Sequence, residues 1–216
     1  MDNKQIAFLF DLDGVIIDSE TEYTKIWSHI NEVYPTGVED FARKIKGTTL
    51  TNILDRYYPD FETRGNVEQL LYREEQAMDY RYCTGAHEFL KELEKAGVPR
   101  AIVTSSNDEK MAHLYDQIPT FREDFDRIVD ATMVKHSKPN PEGYLLGAEK
   151  LGVDIRHCAV VEDSMQGTLA GRNSGAYVIG VAGTLPAEAI AANCDIVVEN
   201  LMDLDLKKTI EILKSR

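Results

Sequence analysis

Hydrophobic residues in this chain fall into short runs, and several of these runs end at a cluster of polar residues. The first run, residues 6–10, reads Ile-Ala-Phe-Leu-Phe and stops at Asp11, Leu12, Asp13 and Gly14. Five consecutive apolar residues predict a strand that is buried on both faces. Asp11 and Asp13 would then emerge at the carboxyl end of the strand, where open parallel sheets bind their ligands.

From residue 86 onward, segments with helical periodicity alternate with short apolar runs. This alternation predicts a parallel sheet with right-handed crossovers and therefore an α/β fold with helices on both faces. The predicted strands are 99–104, 127–130, 158–162, 177–181 and 195–198, and the predicted helices are 86–96, 107–117, 141–151, 165–174 and 204–214.

Residues 19–80 separate the first predicted strand from the next and are too many for a simple crossover loop. Apolar side chains in this segment recur at spacings of three and four, as Tyr23, Ile26, Trp27 and Ile30 do, which predicts helices. We therefore expect a small helical domain over residues 18–81. Residues 1–17 and 82–216 would form the α/β domain.

Three further polar clusters follow apolar runs, in segments 101–107, 137–143 and 158–167. Asp, Asn, Ser and Gly are ordinary turn formers, so any one cluster alone would be explained as the end of a strand. Four such clusters in succession instead indicate a site. Asn107, Asn140 and Ser164 are predicted N-caps of the helices that follow, and helix N-termini favour anions.

Taken in order, the four clusters resemble the four motifs of the haloacid dehalogenase-like superfamily, whose members are mostly phosphatases that work through an aspartyl-phosphate. The resemblance covers nearly the whole chain. It implies a Rossmann-like parallel sheet core with a small α-helical cap. The pattern is most similar to the β-phosphoglucomutase-like members, which share this type of cap and the Glu-Asp-Ser-x-x-Gly motif of residues 162–167.

Four residues are expected to be catalytic. Asp11 would attack phosphorus and carry the phosphoryl group as a covalent intermediate. The resemblance implies that Asp13 protonates the leaving oxygen and later activates water. Thr104 would offer its hydroxyl and the following amides to the phosphoryl oxygens, and Lys138 would balance negative charge.

A metal ion is expected beside these residues, because attack by a carboxylate on a phosphate anion requires neutralisation of negative charge. A hard, oxygen-ligated cation such as Mg²⁺ is suited to this task. We expect Asp11, Glu162 and Asp163 to hold it. The resemblance adds the backbone carbonyl of Asp13 as a further ligand.

Substrate contacts are expected from both domains. Leu12, Ser105, Ser106 and Asn107 are the candidates in the core, and Tyr23, Lys46 and Gly47 are the candidates in the cap. Tyr23 also lies four residues before Trp27, a spacing that more often indicates packing along a helix.

The β-phosphoglucomutase pattern carries an arginine after a Lys-Gly pair and a histidine on the first cap helix. Leu50 and Tyr23 stand in those places here, which favours hydrolysis of a small phosphate ester, a sugar or polyol phosphate, over phosphate mutation. A phosphohexomutase remains the alternative. A catalytically silent binding or regulatory protein is a further alternative, because fold does not determine function.

The composition of the chain limits the classes of partner that it is expected to bind. The chain has 216 residues with 24 Lys plus Arg against 37 Asp plus Glu, a formal charge of −13, which disfavours nucleic acid as a partner. No apolar run has membrane-spanning length, and the first residues lack a signal-peptide pattern, so we expect no membrane association and a cytoplasmic location. The expected partner is a small-molecule phosphate ester, bound by a monomer or weak homo-oligomer.

Overall fold

The structure, a computed structural model, describes residues 2–45, 48 and 50–216. The chain folds into two compact units. One unit, called the core below, comprises Met1–Asp18 and Arg81–Arg216, and the other, called the cap, comprises Ser19–Tyr80. Each boundary lies one residue from the boundary expected from the sequence.

The described part of the chain contains six β-strands and ten α-helices. The strands are β1 (Ala7–Phe10), β2 (Arg100–Val103), β3 (Arg127–Val129), β4 (Cys158–Glu162), β5 (Tyr177–Val181) and β6 (Ile196–Val198). The cap helices are α1 (Ser19–Val33), α2 (Phe41–Lys44), α3 (Leu50–Tyr57) and α4 (Phe61–Glu75). The core helices are α5 (Ala86–Ala96), α6 (Asp108–Gln117), α7 (Glu142–Leu151), α8 (Met165–Ser174), α9 (Ala187–Ile190) and α10 (Leu206–Ser215).

The six strands form one sheet in the order β3-β2-β1-β4-β5-β6, and every pairing is parallel. The predicted α/β fold with a parallel sheet is therefore confirmed. The chain moves outward from β1 to β3 on one side and then crosses to β4 on the other, so β1 and β4 flank the point where the strand order reverses. Open α/β sheets bind ligands at this point.

Strand register brings the ends of the central strands to one level. Phe10, the last residue of β1, lies opposite Ile102 of β2 and Val161 of β4. The residues that follow β1, β2 and β4 therefore meet at the same edge of the sheet. These residues are three of the four polar clusters that the sequence singles out.

Strand β1 is buried on both faces, as its unbroken apolar run predicts. On one face, the rings of Phe8 and Phe10 lie 5.6 and 6.2 Å from the ring of Phe89 on α5, in edge-on arrangements. On the other face, Leu9 belongs to a buried cluster that includes Val103 of β2. This double burial anchors the loop that follows β1.

The structure differs from the predicted elements in several places. Helices α2 and α9 have no counterpart among the predicted helices, and α10 begins at Leu206, later than predicted, because the Asp205 side chain caps it. Asn107 and Ser164 are N-caps as predicted. Asn140 is not, because α7 begins after Pro141, although the Asn140 side chain accepts a 3.0 Å hydrogen bond from the Glu142 backbone N–H.

The cap is held together by aromatic packing around Phe41. Its ring centre lies 6.1 Å from that of Trp27 and 5.1 Å from that of Tyr57, both edge-on. Helix α4 begins at an N-cap, Asp60, whose side chain accepts hydrogen bonds from the Thr63 backbone and hydroxyl. Across the described residues, no helix combines the length and apolar character needed to cross a membrane.

Two helical glycines give a test of how closely α8 packs on the sheet. A Cβ at Gly171 would lie 2.8 Å from a methyl group of Val160, whereas a Cβ at Gly65 in α4 would meet nothing within 4 Å. We expect Gly171→Ala to lower the free energy of unfolding by about 1–3 kcal/mol through overpacking. The control, Gly65→Ala, should raise it by up to about 1 kcal/mol through helix propensity. Urea unfolding followed by circular dichroism measures both, and a Gly171→Ala protein as stable as wild type would contradict the close packing.

Candidate active site

Asp11 is the first residue after β1. Its backbone N–H donates to the Val161 carbonyl at 2.9 Å, which extends the pairing with β4 by one residue. The chain then turns back, and the backbone N–H groups of Ile16 and Ile17 both donate to the Leu12 carbonyl at 2.9 Å. The Leu12 side chain is buried, so a role for Leu12 in substrate binding would fall to its backbone.

Lys138 reaches this strand end from the loop before α7. Its ammonium donates to Oδ1 of Asp11, to Oε1 of Glu162 at 2.6 Å and to the Val103 carbonyl at 3.2 Å. The side chains of Lys138, Asp11 and Glu162 are 14%, 12% and 0% exposed. One largely buried ammonium therefore joins the ends of β1, β2 and β4.

Burial and charge act in opposite directions on the pKa of Lys138. Burial alone would lower this pKa, but the attraction of Asp11 and Glu162 outweighs it and raises the pKa well above its usual range. Lys138 is therefore protonated at every physiological pH. Burial also raises the pKa of Asp11 to about 7, with Lys138 opposing the rise and Glu162 and Asp13 adding to it.

The carboxylate of Glu162 accepts hydrogen bonds at both oxygens. Oε1 accepts from Lys138 and from the Tyr144 hydroxyl at 2.9 Å. Oε2 accepts from the backbone N–H groups of Asp163 and Ser164, both at 3.1 Å, and from the Ser164 hydroxyl at 2.9 Å. A carboxylate with this many donors is fixed in place, and it lies at the N-terminus of α8, where negative charge is favourable.

Gly167 makes room for this carboxylate. A Cβ at residue 167 would lie 1.7 Å from Oε1 of Glu162, so no larger residue fits. The Ser164 hydroxyl, which donates to Glu162, also accepts from the Gly167 backbone N–H at 3.0 Å as the N-cap of α8. The glutamate, serine and glycine of the predicted motif thus form one hydrogen-bonded unit.

Asp163 is buried next to Glu162 and is held by a residue that the sequence analysis did not identify. The Thr184 hydroxyl donates to Oδ2 of Asp163. Gly14 lies against the same pair, because a Cβ at residue 14 would be 1.9 Å from Oδ2 of Asp163 and 2.6 Å from Oγ1 of Thr184, and its φ of 75° also favours glycine. Thr184 follows the apolar run of β5, the same pattern that marks the four motifs.

Asp11, Glu162 and Asp163 each offer a carboxylate oxygen, and these oxygens all lie within 4.8 Å of one another. The three carboxylates are buried, and Lys138 supplies a single positive charge to Asp11 and Glu162. A cluster with excess negative charge and only oxygen donors fits a hard cation such as Mg²⁺ and does not match the His and Cys ligands typical of Zn²⁺. Glu162 would have to share oxygens that already accept protein hydrogen bonds.

The segment after β2 forms a second hydrogen-bonded group. The Ser106 backbone N–H donates to Oγ1 of Thr104 at 3.0 Å, and the Ser106 hydroxyl donates to Oδ2 of Asp13 at 3.1 Å. Lys110 donates to Oδ1 of Asp13 at 2.7 Å. Asn107 accepts from the Lys110 backbone N–H, and Ser105 is exposed. Thr104, Ser106 and Asp13 are thus brought together as predicted candidates, whereas Lys110 was not identified from the sequence.

Of the three candidate substrate-binding residues in the cap, only Tyr23 lies in the described part of the chain. The Tyr23 hydroxyl donates to Glu75 at 3.0 Å, and both residues line a cavity of about 250 Å³ within the cap, together with Glu20 and Trp27. Lys46 and Gly47 lie outside the described residues. The roles of Tyr23, Lys46 and Gly47 in substrate binding therefore stay predictions.

Comparisons with known proteins agree with the family resemblance. A family model described as haloacid dehalogenase-like hydrolase matches residues 8–181. Hexitol phosphatase A of Escherichia coli K12 is 34% identical over 210 residues, covering 94% of each chain. Beta-phosphoglucomutase of Bacillus subtilis is 28% identical over 218 residues, covering 93% of this chain and 92% of that protein. The crystal structure of a HAD family hydrolase from Deinococcus radiodurans R1 with bound phosphate and sodium matches with a TM-score of 0.80 at 25% identity, covering 98% of each chain.

Proposed function

We propose that this chain, which belongs to the haloacid dehalogenase-like hydrolases and is a phosphoric monoester hydrolase, is a Mg²⁺-dependent phosphatase that works through an aspartyl-phosphate on Asp11. The observation that carries the proposal is the contact of the largely buried Lys138 ammonium with both Asp11 and Glu162 at the carboxyl edge of the sheet. This arrangement places the Asp11 carboxyl group beside a positive charge.

The proposed reaction has two displacements. First, a carboxylate oxygen of Asp11 forms a bond to phosphorus while the bond from phosphorus to the ester oxygen breaks, and the protonated Asp13 carboxyl gives its proton to that oxygen. Second, water attacks the same phosphorus and gives a proton to the Asp13 carboxylate, and the acyl-phosphate P–O bond breaks. Inorganic phosphate leaves, and Asp11 is regenerated.

Several core groups are suited to hold the phosphoryl oxygens. The Thr104 oxygen accepts from the Ser106 N–H, which leaves the Thr104 hydroxyl proton to donate to a phosphoryl oxygen. The amide oxygen of Asn107 accepts from the Lys110 N–H, which leaves its NH₂ group as a donor. Ser105 and the Leu12 backbone complete the proposed set, whereas the Ser106 hydroxyl and N–H are already engaged.

Asp11 and Asp163 are proposed to hold Mg²⁺, with the Asp13 carbonyl as a further ligand. When bound, the ion would neutralise charge on the transferring phosphoryl group and orient it. Glu162 lies within the same cluster and is the third candidate ligand, although its hydrogen bonds to Lys138 and to the start of α8 suit it better to holding Lys138 in place.

The proposed substrate is a small sugar or polyol phosphate. The name of the E. coli relative, hexitol phosphatase A, supports this class. The B. subtilis relative, beta-phosphoglucomutase, keeps a phosphohexomutase as the second candidate. Leu50, in the place of the arginine of the mutase pattern, is apolar and cannot clamp a second phosphate, which favours hydrolysis.

Asp11→Asn tests the nucleophile. The change is nearly isosteric but removes the attacking charge, so we expect kcat to fall by at least about 10³-fold while the thermal midpoint stays near that of wild type. Turnover of p-nitrophenyl phosphate and thermal unfolding measure the two quantities, and Asp116→Asn, an exposed change on α6, is the control. If the variant kept more than about a tenth of wild-type turnover, its activation barrier would have risen by less than ~1.4 kcal/mol, and Asp11 could not be the nucleophile.

Mg²⁺ binding has a readout that does not depend on catalysis. A ligand at ten times its Kd stabilises the native state by about 1.4 kcal/mol, so Mg²⁺ should raise the thermal midpoint of the wild-type protein. Asp163→Asn should abolish most of this shift, whereas Glu149→Gln, an exposed change on α7, should leave it intact. Chelation should remove activity and Mg²⁺ should restore it. Full activity after exhaustive chelation would contradict the metal requirement.

Hydrolysis and mutation are distinguished by their products. The protein is given β-glucose 1-phosphate with a trace of the 1,6-bisphosphate and Mg²⁺, and in a parallel assay sorbitol 6-phosphate. We expect inorganic phosphate from both, because a mutase must hold a bisphosphate and protect its phosphoenzyme from water. Glucose 6-phosphate that appears much faster than inorganic phosphate would establish the mutase instead.

A further inference from the structure

The carboxylate of Asp13 is held from both sides by one short segment of the core. Lys110 donates to Oδ1 at 2.7 Å, and the Ser106 hydroxyl donates to Oδ2 at 3.1 Å. The side chains of Lys110 and Asp13 are 20% and 29% exposed, so the ion pair is partly shielded from water. The two donors lie on either side of the α6 N-cap, Asn107.

Lys110 lies where a helix ordinarily disfavours a lysine. It is the third residue of α6, and the Asn107 side chain caps its backbone N–H at 2.9 Å. The N-terminus of a helix carries partial positive charge, which attracts acidic side chains and repels basic ones. Asp108 and Glu109 follow this preference and Lys110 does not. Its ion pair with Asp13 offsets the unfavourable position and explains the direction of its side chain.

We propose that Lys110 is a positioning residue that holds the Asp13 carboxylate where it transfers protons to and from the reacting oxygens. The proposal rests on the proposed function, because Lys110 is assigned to hold Asp13, the group that serves first as acid and then as base. Lys110 itself forms no bond to phosphorus and exchanges no proton. Its ammonium and the Ser106 hydroxyl together leave the Asp13 carboxylate little freedom to rotate.

A group that acts by positioning affects the rate of chemistry more than the binding of substrate. Misplacement of a reacting group by 1 Å can cost about 100-fold in rate. Loss of Lys110 should therefore lower kcat and leave KM nearly unchanged. A lysine that instead contacted the substrate phosphate would lower affinity and raise KM, so the two roles are separable.

Two substrates separate the steps that depend on Asp13. p-Nitrophenyl phosphate has a good leaving group that needs little protonation, so only the attack of water on the phosphoenzyme should depend on Asp13. Glycerol 1-phosphate has a poor leaving group, so both displacements should depend on it. The phosphorylated protein, measured by rapid quench with labelled p-nitrophenyl phosphate, should accumulate when only the second displacement is slowed.

The chain offers a matched control for Lys110. Lys208 is also the third residue of a helix, α10, and its backbone N–H is also capped by the preceding N-cap side chain, that of Asp205. Its side chain is exposed. Lys208→Met therefore removes the same charge from the same helical position without touching Asp13.

The experiment compares wild type, Lys110→Met, Lys110→Arg, Ser106→Ala and Lys208→Met with both substrates and Mg²⁺. We expect Lys110→Met to lower kcat about 10–100-fold with KM changed by less than about threefold, and to accumulate phosphoenzyme. Lys110→Arg should recover most of kcat, Ser106→Ala should lower kcat less than Lys110→Met does, and Lys208→Met should match wild type. If Lys110→Met is unfolded, Lys110→Gln and Ser106→Ala carry the same comparison.

Three results would overturn the proposal. They are a kcat for Lys110→Met within about twofold of wild type, a rise in KM at unchanged kcat, or no recovery by arginine. Asp11→Asn, assayed in parallel, separates this failure from failure of the proposed function. If the wild type is inactive, or if the Asp11→Asn protein is active, the proposed phosphatase mechanism is wrong. If the wild type is active, the Asp11→Asn protein is inactive and the Lys110→Met protein matches wild type, only the role of Lys110 is wrong.

Discussion

The rest of the site depends on the contact of the largely buried Lys138 ammonium with Asp11 and Glu162. Without it, Asp11 and Glu162 would be desolvated carboxylates with no opposite charge between them, an arrangement that costs several kcal/mol in proteins. Burial raises the pKa of Asp11 and Lys138 opposes this rise, while attraction to Asp11 and Glu162 raises the pKa of Lys138. The surrounding hydrogen bonds serve mainly to keep this arrangement in one geometry.

The support for Lys138 comes chiefly through Glu162. Five donors from Lys138, Tyr144, Asp163 and Ser164 fix the Glu162 carboxylate, and Gly167 leaves the space that it occupies. Because the donors include backbone groups at the start of α8, the position of the ammonium is tied to the position of a helix. The start of α8 therefore determines where the positive charge of Lys138 lies at the end of β1.

Much of this site is predictable from sequence because its residues directly follow strands. Asp11, Thr104 and Asp163 each stand at or just beyond the end of an apolar run, and parallel strands in register bring such positions to one edge. Two of the residues that were missed reach the site differently. Tyr144 and Lys110 project from helices, and whether a helical side chain points at a site depends on how the helix is rotated against the sheet, which periodicity alone does not specify. Whether Glu162 binds a metal or holds Lys138 in place likewise depends on hydrogen-bond donors that only the folded chain brings together.

The ion pair between Asp13 and Lys110 limits how the loop after β2 can vary in length. Lys110 is joined to the sheet through Thr104, Ser106 and the N-cap Asn107, each with a specified hydrogen bond. Insertion or deletion of one residue in this stretch would rotate the following helical positions by about 100° around the axis of α6, and a different side chain would then face Asp13. Length variation among relatives should therefore be absent from residues 104–110 wherever a lysine keeps this place, even though loops at the edge of a sheet ordinarily tolerate it.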